Sequence, residues 1–140
     1  MLGQVGLVIL LLCSGCSQQA QVRDDLVHAL SDAHSALGST SLAVDLLTKS
    51  RITQAAAETA VDDMSQQLSD AQHQLEPISV DDDLQQADRD ATVQAIAAGF
   101  DAVLLVRDQL RQGQDTRQAQ SLVAQTDREI VTLSDRLQAG

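Results

Sequence analysis

The chain has 140 residues, with 20 Asp plus Glu against 9 Lys plus Arg, a net charge of −11 and Phe100 as its single aromatic side chain. That length suits one domain with a modest core. The charge repels phosphate backbones and anionic headgroups, so nucleic acid and direct membrane-surface binding are disfavoured. Seventeen of the acids are Asp, a poorer helix former than Glu, and the bias reads as genome composition or a salty habitat rather than chemistry.

The chain opens on an apolar run, Gly3 to Leu12, that passes into Cys13-Ser14-Gly15-Cys16 and then into the polar Ser17-Gln18-Gln19. A bilayer crossing needs about 20 apolar residues, so the run is too short to span and instead has the length of a signal-peptide apolar region ending in small residues. It resembles a bacterial lipoprotein signal, whose lipobox ends in a cysteine. The resemblance implies that Cys16 receives a diacylglyceryl thioether and becomes the first residue of the mature protein, with Ser14 and Gly15 filling the small positions before the cut. A simple N-terminal apolar helix or a non-lipidated secretory signal is the alternative. The expected organisation is a signal segment at 1–15, a short tether at 16–21 and a helical domain at 22–140. The expected location is the extracytoplasmic side of the cell membrane, held by lipid. Cys13 would leave with the signal and Cys16 would be blocked, so the mature domain has no internal disulfide and depends on its core alone.

From residue 22 onward the dominant signal is helical periodicity. Leu26, Leu30, Ala33, Leu37, Thr40, Val44 and Leu47 are spaced 4, 3, 4, 3, 4, 3, so the stripe crosses Gly38-Ser39-Thr40-Ser41 in phase and that cluster reads as a bend in one long helix. Thr53 is a plausible N-cap for a second helix, whose stripe is Ala57, Val61, Met64, Leu68, Ala71, Leu75 and Ile78. Pro77 stops that helix, because the residue before proline avoids the α region. Ser79 to Asp83 offers N-cap candidates and three acids for the first turn of a third helix. Its stripe is Val93, Ile96, Phe100, Val103 and Leu110, with Arg107 where an apolar residue is expected. Gly113 is a good terminator, and Asp115 or Thr116 opens a fourth helix carrying Ala119, Leu122, Thr126, Ile130, Leu133 and Leu137. The predicted spans are 22–49, 53–76, 80–112 and 115–138. Long helices joined by short connections predict an all-α, up-down-up-down four-helix bundle of rods about 36 to 50 Å long. An extended coiled-coil hairpin is the alternative architecture.

The chemistry on offer is thin. Asp25-x-x-His28 and Asp70-x-x-His73 have the spacing of the carboxylate-histidine pairs in di-iron bundles, but ligands there project inward. The heptad phase sets His28 and His73 on outer positions instead, and His34 sits beside the stripe with no evident partner, so no metal residue is assigned. Asp81-Asp82-Asp83 lacks the spacing and terminal Glu of a calcium loop. No nucleophile elbow or phosphate-cradling glycine loop occurs, and no catalytic or cofactor-binding residue is assigned. Arg107 is expected to pair with an Asp across the bundle or to mark a polar layer.

One stretch exceeds the apolar stripe that a bundle helix needs to bury. Leu104, Leu105 and Val106 on helix three, with Leu46 on helix one, form a candidate patch for a partner helix or a homodimer, near the end far from Cys16. A thicker distal core, with Ile52 and Leu122 as lids, is the competing reading. The pattern as a whole resembles the small Ala-rich, Asp/Arg-rich helical lipoproteins of bacteria with GC-rich genomes. That resemblance transfers no site except Cys16. The expected function is a non-catalytic, lipid-anchored envelope module acting as spacer, scaffold or partner-binding unit, with a ligand- or metal-binding bundle as the alternative.

Overall fold

The computed structural model describes residues 14–140, with side chains from residue 18 onward. The apolar run and Cys13 lie outside the described residues, as does the side chain of Cys16. Four helices follow one another: α1 (Ser14–Thr48), α2 (Gln54–Leu75), α3 (Asp83–Arg111) and α4 (Arg117–Ala139). Neighbours in sequence pack together, α4 closes against α1, and α1 with α3 forms the closer diagonal. The result is the predicted four-helix bundle, with the α1–α2 and α3–α4 turns at one end and the α2–α3 turn at the other. The predicted tether differs, because 16–21 is continuous with α1 and adds helical turns below the bundle.

Each turn has a local cause. Ser50 at φ 55° and Gly113 at φ 63° take the left-handed conformation that ends α1 and α3. Around Ser50 the Arg51 N–H donates to Leu46 O at 2.8 Å and the Ser50 N–H to Leu47 O at 2.9 Å. Around Gly113 the Gln114 N–H donates to Gln109 O at 2.8 Å and the Gly113 N–H to Leu110 O at 3.1 Å. Both are Schellman closures that satisfy the last free carbonyls. Only the glycine is conspicuous in a sequence, since serine rarely adopts that backbone. Thr53 caps α2, its hydroxyl accepting from the Ala56 N–H at 3.2 Å. Asp82 caps α3, accepting from the Gln85 N–H at 2.8 Å. Because α3 begins at Asp83, Asp81 and Asp82 precede the helix instead of filling its first turn. Arg89 folds back from α3 and donates from Nε to Leu75 O at 3.3 Å, closing the end of α2.

The buried stripes of α1 and α2 follow the predicted phase, with Leu26, Leu30, Ala33, Leu37 and Val44 facing Ala57, Val61, Leu68, Ala71 and Leu75. Thr40 is also buried, and its hydroxyl donates to Ala36 O at 2.9 Å, so α1 carries through Gly38–Ser41 without a break. On α3 the core rungs are Thr92, Ile96, Gly99, Val103, Val106 and Leu110. The predicted Val93, Phe100 and Arg107 each lie one residue past the true rung, and Val93 and Phe100 pack on its flank. The cause is Gly99. A Cβ there would meet the Leu37 methyls at 3.5 and 3.6 Å and Leu68 Cδ2 at 3.7 Å, so the close diagonal leaves no room for a phenyl ring at that rung. On α4, Val123 takes the buried position predicted for Leu122, which remains 40% exposed.

Those same distances are ordinary van der Waals contact, and a prediction follows. Gly99→Ala is expected to stabilise the bundle by about 1 kcal/mol, the helix-propensity difference between the two residues, read as a rise in the urea midpoint at unchanged slope. A fall in the midpoint would mean that the diagonal tolerates no added methyl.

Candidate functional site

The interior available to a ligand is apolar. Among the described residues the buried polar positions are Thr40, Thr92 and Thr126, and the first two spend their hydroxyls on carbonyls one turn back in the same helix. No charged side chain is buried there.

The histidines lie outside. His28 is 73% exposed and near Asp32, and His73 is 67% exposed and near Glu76, each partner on the histidine's own side of the bundle and within four residues. Asp25 and His28 line an open cleft of about 480 Å³ between the start of α1 and the end of α2, with Gln74, Pro77 and Ile78 as its far wall. Among the described residues no group of three or more His, Cys, Asp or Glu comes together in a way that would hold a metal ion.

His34 requires a correction. Its Nδ1 lies 2.6 Å from Asp127 Oδ1, tying α1 to α4. The two are 93 positions apart, so nothing local in the sequence announces the contact. Two other pairs staple neighbouring helices in the same manner, Arg111 to Asp62 at 2.7 Å between α3 and α2, and Arg136 to Asp88 at 3.6 Å between α4 and α3. All are largely exposed pairs, worth about 0 to 1 kcal/mol each, so they set register more than they stabilise. Arg107 is corrected too. It does not reach across the bundle but holds the adjacent Asp108 at 3.0 Å, while Val106 occupies the core rung.

The candidate patch comes apart for a geometric reason. Successive helical residues diverge by about 100°, so Leu104, Leu105 and Val106 cannot share a face. Val106 has no exposed surface and belongs to the core, which corrects its assignment to the patch. Leu104 is half-buried, two turns before Arg111 and on the same flank toward α2, whereas Leu105 turns away and is 38% exposed. Leu46 is half-buried on α1. Gln109 Oε1, near the end of α3, is buried without a hydrogen-bond partner, and nothing in the structure explains it.

No family model, curated protein or solved structure matches this chain. Among the described residues no helix is long and apolar enough to cross a membrane. The site that the sequence assigns therefore rests on Cys16 and its place at the foot of α1, opposite the two paired turns.

Electrostatics adds one well-defined group. The Arg117 side chain and its backbone N–H both donate to Asp115, two residues before the start of α4, and hold its carboxyl down to about 2. A depressed carboxyl contributes above the ordinary carboxylate range, and that contribution is lost as pH falls through about 2. Replacing Arg117 with Gln is expected to raise the midpoint, read from the side-chain carbonyl shift in a pH titration, only part of the way toward the ordinary value of about 4, because the backbone N–H still donates to the carboxylate. An unchanged midpoint would remove Arg117 as the cause.

Proposed function

We propose that this protein is a non-catalytic, lipid-anchored component of a bacterial cell envelope, acting as a helical spacer or scaffold. The observation that carries the reading is the run from Gly3 to Leu12 ending in Ser14-Gly15-Cys16, which precedes in sequence a helical bundle with an apolar interior. Two or more acyl chains give lasting attachment where one gives only reversible binding, so the body is free to carry a net charge of −11. That charge keeps the rod soluble and away from anionic surfaces. The outward placement of His28 and His73 and the apolar, threonine-lined core favour a structural role over an internal ligand site.

The test is mass spectrometry of the mature N-terminus from native membranes. The expected result is a chain beginning at Cys16 that carries a diacylglyceryl group. A chain beginning elsewhere, or an unmodified Cys16, would sink the proposal.

A further inference from the structure

We infer that the bundle stands upright on its anchor, its paired turns held about 48 Å from the lipid, because α1 runs from the anchor residue into the core without a joint. This inference rests on the lipidation of Cys16 proposed above and adds the geometry that follows from it.

The continuity is the first support. Cys16 and the first buried side chain among those described, Val22, are six positions apart in one helix, which is less than two turns or about 9 Å. Within that stretch Gln21 Nε2 donates to Asp25 Oδ1 at 3.2 Å, one turn on and already beside the core. No Gly or Pro interrupts 17–37, so the usual causes of a kink are missing. A flexible tether of the same length would let the rod sample every tilt. A helix transmits the direction of the bundle axis to its foot.

The surface is the second support. Residues 17–21 read Ser-Gln-Gln-Ala-Gln, polar at every position but Ala20, whereas a helix lying in the interface needs an apolar side to bury. The acids at the foot of the bundle, Asp24, Asp25, Glu76 and the Asp81-Asp82-Asp83 run, outnumber the cations Arg23, Arg89 and Arg136. The α2 flank repels as well. The whole of α2 carries Glu58, Asp62, Asp63 and Asp70 without a single Lys or Arg. Laying the α2 side of the rod on an anionic bilayer brings negative charge within a Debye length, about 10 Å, of negative headgroups, whereas α4, with three arginines against three acids, is balanced. Standing, only the foot lies that close. At the far end Lys49, Arg111 and Arg117 are paired with Asp45, Asp62 and Asp115, which leaves Arg51 as a single exposed cation to pull the tip down.

The experiment uses the full lipidated protein in phosphatidylcholine–phosphatidylglycerol vesicles that contain an acceptor-labelled lipid. A thiol-reactive donor is placed on Lys49→Cys at the far turn or on Asp25→Cys near the foot, both exposed positions. The upright rod separates these sites by about 36 Å along its axis, so quenching at the foot is expected to exceed quenching at the tip by at least about threefold. Equal quenching at the two sites means a recumbent rod and overturns the inference. Inserting Gly-Gly-Ser-Gly-Gly-Ser between Gln18 and Gln19 is expected to raise quenching at the tip. If quenching there does not change, the unbroken helix is not what holds the tip away, and the inference falls while the anchor stands. A mass spectrum of the same preparation separates the two failures. Cys16 without lipid removes the anchor, and the inference with it.

Discussion

Replacing Leu37 with alanine is expected to cost about 3 to 4 kcal/mol of unfolding free energy, the upper part of the usual range for a buried leucine. Leu37 has no exposed surface and meets the bare backbone of Gly99 across the close α1–α3 diagonal. Because Gly99 has no side chain to move in, the site cannot collapse and the cavity stays open. Many of the surrounding core positions are alanines, among them Ala33, Ala36 and Ala102, so each large side chain carries an unusual share of the buried apolar area. Urea unfolding of the variant measures the loss directly. A cost below about 1.5 kcal/mol, the level of a volume-conserving swap, would show that the diagonal relaxes and that the packing described above is wrong. Combining Leu37→Ala with Gly99→Ala sharpens the test, because a methyl on residue 99 points at the vacated space. The double variant is expected to be more stable than the two single effects predict, by about 0.5 kcal/mol or more, as befits residues in contact.

The second large effect concerns Cys16. Cys16→Ala is expected to abolish acyl incorporation entirely and to leave the chain as a precursor that keeps residues 1–15, read as a mass increase with no lipid adduct. Export of residues 17–140 behind a cleavable, non-lipid signal should place the protein in the soluble fraction. That version lacks the anchoring free energy of about 0.8 kcal/mol per buried methylene. The same helix that would otherwise reach the membrane keeps polar and charged surface at its foot, with Asp24 and Asp25 against Arg23. Persistent acylation of the alanine variant, or membrane retention of the soluble version after a salt wash, would each refute the assignment.

The bundle was legible from the chain because its information is local. A stripe at 4, 3, 4, 3 spacing commits a helix to one buried face, and Thr53, Pro77 and Gly113 mark ends by backbone chemistry that does not depend on neighbours. Errors arise where one helix must accommodate another. On α3 the more apolar Val93 and Phe100 lie beside the buried rungs, which belong to Thr92 and Gly99. Hydrophobicity alone favours the former, and at residue 99 the proximity of Leu37 on α1 requires the latter. The patch fails for a related reason, since three adjacent apolar residues look continuous in a sequence and point in three directions on a helix.

The sequence by itself determined the charge, the four helices, their order and most of their caps, because each of these is written within a few residues, and the proposed anchor at Cys16 rests on the same kind of local pattern. Only the tertiary structure decided which side of α3 faces inward, that His34 meets Asp127 and Arg111 meets Asp62, and that the supposed tether is the base of α1. These depend on how closely the helices approach and at what register. That distance is set by the smallest residues in the core, Gly99 first among them, and it has no signature in any single stretch of the chain.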